Sequence, residues 1–270
     1  MSFQPVLPMS GLVGWKFLER TFQSQTQAFA KTPEVTRDTD YFEAKIGQIN
    51  SAEQLVSDRR LLKVALGAFG LQDDINNKFF IRKILDDGVL KDGALANRLA
   101  DDRYKSLTKA FGFGDFSTPR TKLSDFGTEI TQKYRAQQFE VAVGEQDETM
   151  RLALYAQREL GSMAKGTSSD NTKWFTIMGT PPLRSVFETA LGLPKSFGQL
   201  DVDRQLEVFR SNAKKQLGIN KLTDLADPDV QKKVIQKFLV RAQIAEVQTV
   251  SSASMALTLL QAAPRRGLLT

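Results

Sequence analysis

The 270-residue chain contains no cysteine and no histidine. Without cysteine it has no disulfide, no thiol nucleophile and no thiolate metal ligand. Without histidine it cannot build a Ser-His-Asp triad or an imidazole general base, and nearly every zinc site is excluded. An enzyme made from this sequence would have to work with carboxylates, lysine, tyrosine or a bound cofactor. Proline and glycine are sparse, at 9 and 18 residues, and show no regular strand-turn spacing, which favours helices. No stretch approaches the ~18 apolar residues of a membrane span. The N-terminus, MSFQPVLPMSGLVGWKF, places no basic segment before its weakly apolar run, so it does not read as a secretory signal. The expected location is the cytoplasm, or outside it by a route that needs no cleaved signal.

Apolar residues make up 41% and charged residues 25%, the balance of a globular chain long enough to bury a substantial core. The net charge of +6 is unevenly placed: residues 1–164 hold 22 basic against 22 acidic side chains, and residues 165–270 hold 15 against 9. The excess therefore lies wholly in the C-terminal part, where it reads either as a solvated surface or as the footprint of an anionic partner.

Residues 57–116 carry the densest apolar patterning. Leu61, Leu62, Ala65, Leu66 and Phe69 recur at helical spacing, Gly70 ends that helix in the left-handed conformation, and Leu71 follows where the hydrophobic contact of such a cap belongs. Ile75, Phe79 and Leu85 begin a second stripe, closed by Asp86, Asp87 and Gly88. Leu95, Leu99 and Tyr104 continue in a further helix towards Phe111, Phe113 and Phe116. The pairs Asp73-Asp74, Asp86-Asp87 and Asp101-Asp102 fail the spacing of a calcium loop and suit helix N-termini instead.

Around this region the chain reads as helices separated by short punctuation. Residues 1–13 are expected to be irregular. From Trp15 a helix puts Trp15, Leu18, Phe22 and Phe29 on one face and ends at Lys31-Thr32-Pro33. Core packing explains that stripe, and so does docking onto a partner from near the terminus. Ser51 with Gln54 forms a capping-box pattern, and residues 117–122 are the best linker candidate. A long helical region starts at Ser124 or Asp125 and breaks near Gly144. Gly161 and Gly166 have the separation of a phosphate-binding loop, but Lys165 precedes the second glycine where the motif needs a lysine after it, so the pattern is rejected. Asp170, Pro181-Pro182, Asp201 and Asp227-Pro228 mark further helix starts, and Gly192 repeats the glycine-leucine ending seen at Gly70-Leu71. A last helix runs over residues 247–261 before Pro264 and a frayed basic tail.

Four segments, SDRRLLKVALGAFGL at Ser57–Leu71, LANRLADDRY at Leu95–Tyr104, KAFGF at Lys109–Phe113 and WFTIMGTPPLRSVFETALGLP at Trp174–Pro194, resemble a bacterial family of unknown function often encoded near flagellar genes in alphaproteobacteria. The resemblance covers most of residues 35–245. It implies a helical protein with a role in flagellar assembly or function, and it supplies no catalytic residue to carry over.

The expected architecture is all-α, an irregular multi-helix bundle with little or no sheet. We divide it into an N-terminal extension with its amphipathic helix (1–33), a helical hub (34–116), a second lobe packed on the hub (117–246) and a C-terminal helix with its tail (247–270). The leading function is a non-enzymatic interaction or structural protein whose partners are flagellar components or a second copy. The terminal helices are the expected contact, with Trp15, Leu18, Phe22 and Phe29 as candidates. The alternative is binding to nucleic acid or another anionic surface through Lys214, Lys215, Lys232, Lys233, Lys237 and Arg241. It ranks lower because no aromatic-rich basic groove accompanies these residues. Neither a cofactor nor a catalytic or metal site is expected.

Overall fold

The computed structural model describes residues 3–262, with side chains described through Gln248. Among these residues there are thirteen α-helices and no strand. The first seven are α1 (Gly11–Ala30), α2 (Pro33–Ile46), α3 (Ala52–Ser57), α4 (Arg59–Gly67), α5 (Lys78–Asp87), α6 (Leu95–Arg98) and α7 (Asp102–Phe111). The others are α8 (Phe126–Gly144), α9 (Glu148–Lys165), α10 (Asp170–Gly179), α11 (Pro181–Leu191), α12 (Val202–Leu217) and α13 (Pro228–Ala262). The basic tail beyond Ala262 lies outside the described residues.

Local chemistry sets most of the boundaries. Asp58 starts α4 by accepting hydrogen bonds from the Arg60 and Leu61 amides at 2.9 and 3.1 Å. Ser51 caps α3 as its spacing suggests, although Gln54 reaches back to the Asn50 amide rather than to that of Ser51. Pro181 and Pro228 occupy first helical positions, where a missing amide costs nothing. After α4 the chain tightens into a turn with Gly70 at φ 70°. There the Leu71 amide bonds to the Leu66 carbonyl at 2.9 Å and the Gly70 amide to the Gly67 carbonyl at 3.3 Å. Gly192 ends α11 in the same way, with the Leu193 amide bonded to the Glu188 carbonyl at 2.9 Å.

Other elements depart from the sequence pattern. The α1 helix starts at Gly11, a turn before Trp15. Leu99 ends no helix stripe, because the chain is extended there and Asp101 caps a separate α7 by accepting from the Arg103 amide at 3.0 Å. Phe79 is 75% exposed, and the buried face of α5 is Ile81, Ile84 and Leu85 instead. Ser169, not Asp170, caps α10, which leaves the Asp170 carboxylate to accept from the Leu222 amide at 2.7 Å. The expected linker at 117–122 is docked rather than free: Thr121 is buried and donates to the Ile49 carbonyl at 2.7 Å, and Lys122 donates to that of Gly47 at 2.7 Å.

The buried apolar side chains form two clusters that do not follow the expected division at 117. The first takes in α2 to α5, α7 and the start of α8, from Phe42 through Leu62, Leu66 and Phe111 to Phe126, Ile130 and Tyr134. The second gathers Trp15, Leu18 and Phe29 of α1 with Phe139 and Val143 of α8 and the apolar faces of α9 to α13. Helix α8 thus belongs to both cores, as does α2 through Val35, while α1 is part of the second core. Close approach of α4 to α8 needs Gly67, where a Cβ would fall 2.7 Å from the Tyr134 ring.

A side chain at position 70 would meet only ordinary contacts, the nearest being Arg103 Nη1 at 3.5 Å and Gln137 Oε1 at 3.6 Å. Its cost must therefore come from the backbone conformation. Gly70→Ala is expected to lower unfolding stability by ~1–2 kcal/mol in urea titration, and Gly70→Val by at least as much. An alanine variant as stable as the parent would remove the cap from the account.

Candidate functional site

Two regions concentrate features that packing alone does not explain: the polar junction between the cores, and the seam of the terminal helices α1 and α13.

At the junction, Gln137 and Glu140 lie where α8 passes from one core to the other, and both are buried. Arg158 of α9 reaches across to Glu140 at 2.7 and 3.2 Å and also pairs with Glu159. In the orientation that satisfies its amide, Gln137 donates to Glu140 Oε2 at 3.3 Å and accepts from Arg158 Nη2 at 2.6 Å. Burial pushes the Glu140 carboxyl above the usual carboxylate range, and the Arg158 guanidinium pulls against it. Burial acts to lower the Arg158 pKa, but the hydrogen bond and charge of Glu140 outweigh it and hold the group above its ordinary value. Tyr155 lies under the Arg158 guanidinium, 4.9 Å from centroid to Cζ, and burial raises its phenol.

Next to this network Arg103 separates two recesses of about 560 and 480 Å³ between the lobes. It is fully engaged, with a fork onto Asp101 at 2.7–3.0 Å and a further bond to the Gly70 carbonyl. Lys133, on the rim, pairs with Glu129 at 2.7 Å. Each cation in the recesses with a described partner is thus neutralised within the chain, and the chemistry of the junction is that of a clamp between the cores. Deeper in the second core, the buried Lys173 donates to the Ala164 carbonyl at 2.7 Å and so serves the C-terminal end of α9.

The terminal seam holds the residues singled out from the sequence. Trp15, Leu18 and Phe29 face inward as members of the second core, and of the three only an edge of Trp15 reaches the surface groove beside α13. Phe22 keeps 40% of its surface exposed and packs edge-on against Phe139, with ring centroids 5.7 Å apart. Of the basic candidates, Lys214, Lys215, Lys232 and Lys233 are exposed. Lys237 and Arg241 turn inward: the ammonium donates to the Gln216 carbonyl at 3.2 Å and the guanidinium to Gln216 Oε1 at 3.0 Å. They close the C-terminal end of α12 and do not continue a basic face from Lys233.

Helix α13 changes character along its length. Val234, Ile235, Phe238 and Leu239 are buried in the second core, whereas every residue from Gln243 to Gln248 is exposed. Val240, Ile244 and Val247 form an apolar stripe on it, 42%, 51% and 63% exposed. The backbone remains helical to Ala262, and from Val247 to Pro264 the sequence carries no charged residue. The helical backbone of α13 thus continues for about 30 Å past Ala242.

The sequence signal for the junction was present but easily passed over: Gln137 and Glu140 continue the steps of Ile130 and Tyr134 along α8, putting polar groups where the stripe calls for apolar ones. The signal for α13 was the switch from a buried-type stripe to an uncharged run. No helix among the described residues is long and apolar enough to cross a membrane, and no cluster of three or more acidic side chains among them is placed to hold a metal ion.

Arg158→Met leaves Glu140 buried without its cation, which should cost ~3–5 kcal/mol, and adding Glu140→Leu should recover much of that loss. The single variant should also respond to pH. A buried carboxyl whose folded pKa is raised contributes stability below its unfolded value, about 4.3, and loses it as pH rises through the folded value. The deficit of Arg158→Met should accordingly be smaller near pH ~4.5 than near pH ~8, as measured by thermal melting at both. A deficit independent of pH, or a double variant worse than the single one, would contradict the clamp.

Comparison with known proteins places this architecture. A crystal structure of protein AGR_C_984 from Agrobacterium tumefaciens has a similar fold, with a TM-score of 0.73 and 27% identity over 90% of this chain and 99% of that one. No curated protein matches the sequence. The model of the family described as "Protein of unknown function (DUF1217)" matches residues 68–250, from the end of α4 well into α13. With that match spanning more than half of its length, the chain belongs to the DUF1217 family of proteins of unknown function.

Proposed function

We propose that this chain is a non-enzymatic helical interaction protein, flagellum-associated, whose partner contact is carried by α13. The observation behind this reading is the exposed stripe Val240, Ile244 and Val247 on a helix whose backbone continues to Ala262. A contiguous apolar face left in water is the usual mark of an interaction site. The helix is held firmly at its base, by the buried Phe238 and Leu239 and by the bonds of Lys237 and Arg241 to Gln216, so it presents that stripe from a fixed position. The flagellar setting rests on the sequence resemblance to a family often encoded near flagellar genes. The alternative, an anionic surface bound through basic residues, loses ground because Lys237 and Arg241 are spent on Gln216.

A photo-crosslinking residue in place of Ile244 or Val247, in the full chain, is expected to capture one dominant protein partner, flagellar in identity. The same probe in place of Lys91, exposed on the first core, is expected to capture none at comparable yield. Equal capture at all three positions, or none at 244 and 247, would contradict the proposal.

A further inference from the structure

We infer that the groove between α1 and α13 seats an acidic amphipathic helix supplied by a partner protein. The inference rests on the interaction reading above and supplies the chemistry of the partner.

The two helices run antiparallel. Gly11, at the start of α1, lies against Gln243, since a Cβ there would fall 2.7 Å from its Oε1, while Glu19 and Arg20 face the same groove as Lys232. The groove between them has a volume of about 520 Å³. Its floor is Leu12, Val13 and the edge of Trp15, and Val13 is 61% exposed. Gln236 also lines it, and Val240, Ile244 and Val247 prolong the same side of α13 at helical steps. From Lys232 to Val247 the track is about 22 Å long, four helical turns.

The rim gives the sign of the occupant. Lys16 and Arg20 stand on the α1 wall and Lys232 on the α13 wall, against the one carboxylate of Glu19. All are exposed, and among the described residues none of the three cations enters an ion pair, unlike Lys63, Lys83 and Lys133 elsewhere on the surface. Cations on both walls of an apolar floor complement a ligand with carboxylates on both flanks of an apolar stripe. A helix suits such a track because its anchors repeat every three or four residues, matching the steps of the floor. A symmetric contact with a second copy would bring the same cations face to face and is disfavoured.

The test uses the full chain and a fluorescein-labelled amphipathic peptide of about 18 residues, long enough to hold a helix on binding. Leucines form its stripe and glutamates its flanks, and a matched peptide carries lysines in place of the glutamates. Fluorescence anisotropy should show the acidic peptide binding at least about tenfold more tightly than the basic one, with the preference shrinking as salt is added. Lys16→Glu combined with Lys232→Glu should weaken the acidic peptide by about tenfold or more and raise affinity for the basic one. Val13→Asp should abolish both, and because these side chains are exposed the melting temperature should stay unchanged. Equal binding of the two peptides, no binding of either, or indifference to the variants would overturn the inference. So would binding to phosphatidylcholine–phosphatidylglycerol vesicles that depends on Lys16 and Lys232 without binding of the acidic peptide, which would make the occupant a lipid surface. A dimer in sedimentation that Val13→Asp dissolves would make it a second copy. If the groove fails these tests while the probe at Ile244 still captures a partner, this inference falls and the interaction reading stands; capture failure with peptide binding intact would contradict the contact at Ile244 and Val247 and confine the partner to the groove.

Discussion

Helix α8 is shared between two hydrophobic cores, and the ion pair of Glu140 with Arg158 sits at the point where it passes from one to the other. Tyr134 ends the contribution of α8 to the first core and Phe139 begins its contribution to the second, with Gln137 and Glu140 in the same stretch. Burying those polar groups is tolerable only because Arg158 satisfies them together, and a lone buried carboxylate would cost more than the surrounding contacts return. The arrangement fixes the rotation of α8 about its axis. It thereby fixes how the first core, with its Gly67 approach to Tyr134, stands against the second. Arg103 repeats the device from the other side, tying the start of α7 to the Gly70 turn.

The second core in turn depends on the two ends of the chain. Helix α1 supplies Trp15, Leu18 and Phe29, and the packed part of α13 supplies Val234, Ile235, Phe238 and Leu239. The extended segment before α1 is pinned as well: Gln25 bonds to both the amide and the carbonyl of Val6, at 2.7 and 3.2 Å, and Gln146 donates to the Pro5 carbonyl at 2.7 Å. Termini anchored in this way leave a groove between two fixed helices. The surface proposed for a partner is thus built from the elements that close the second core.

Much of the helical layout was legible in the sequence, because it is written in short-range chemistry. Gly70-Leu71, Gly192-Leu193, Pro181 and Asp227-Pro228 act through their own backbones, and the structure places each at the helix end its type demands. What the sequence concealed depends on three-dimensional neighbours. Phe79 fits a helical stripe as well as Ile81 does, and only the packing of α5 decides which of them is buried. Leu99 continues a stripe on paper, but the cap offered by Asp101 competes and wins. The stripe of α1 was equally compatible with docking and with core packing. The cores settle the matter for Trp15, Leu18 and Phe29, since that face is occupied by α8, α9 and α13. Lys237 and Arg241 share a face with Lys233 by spacing, yet Gln216 of α12 claims them, Lys237 through its backbone carbonyl and Arg241 through its side-chain oxygen.

The central claim, that α1 is a wall of the second core and not a detachable docking helix, is tested most directly by thermal melting of a chain that begins at Pro33. Burial of Trp15, Leu18 and Phe29 is worth ~1.5–3 kcal/mol for each side chain, which together rivals the ~5–15 kcal/mol of net stability of a whole domain. The account predicts that the shortened chain loses cooperative unfolding of the second core or melts at least about 10 °C below the full chain. A shortened chain that melts within a few degrees of the full one would contradict it.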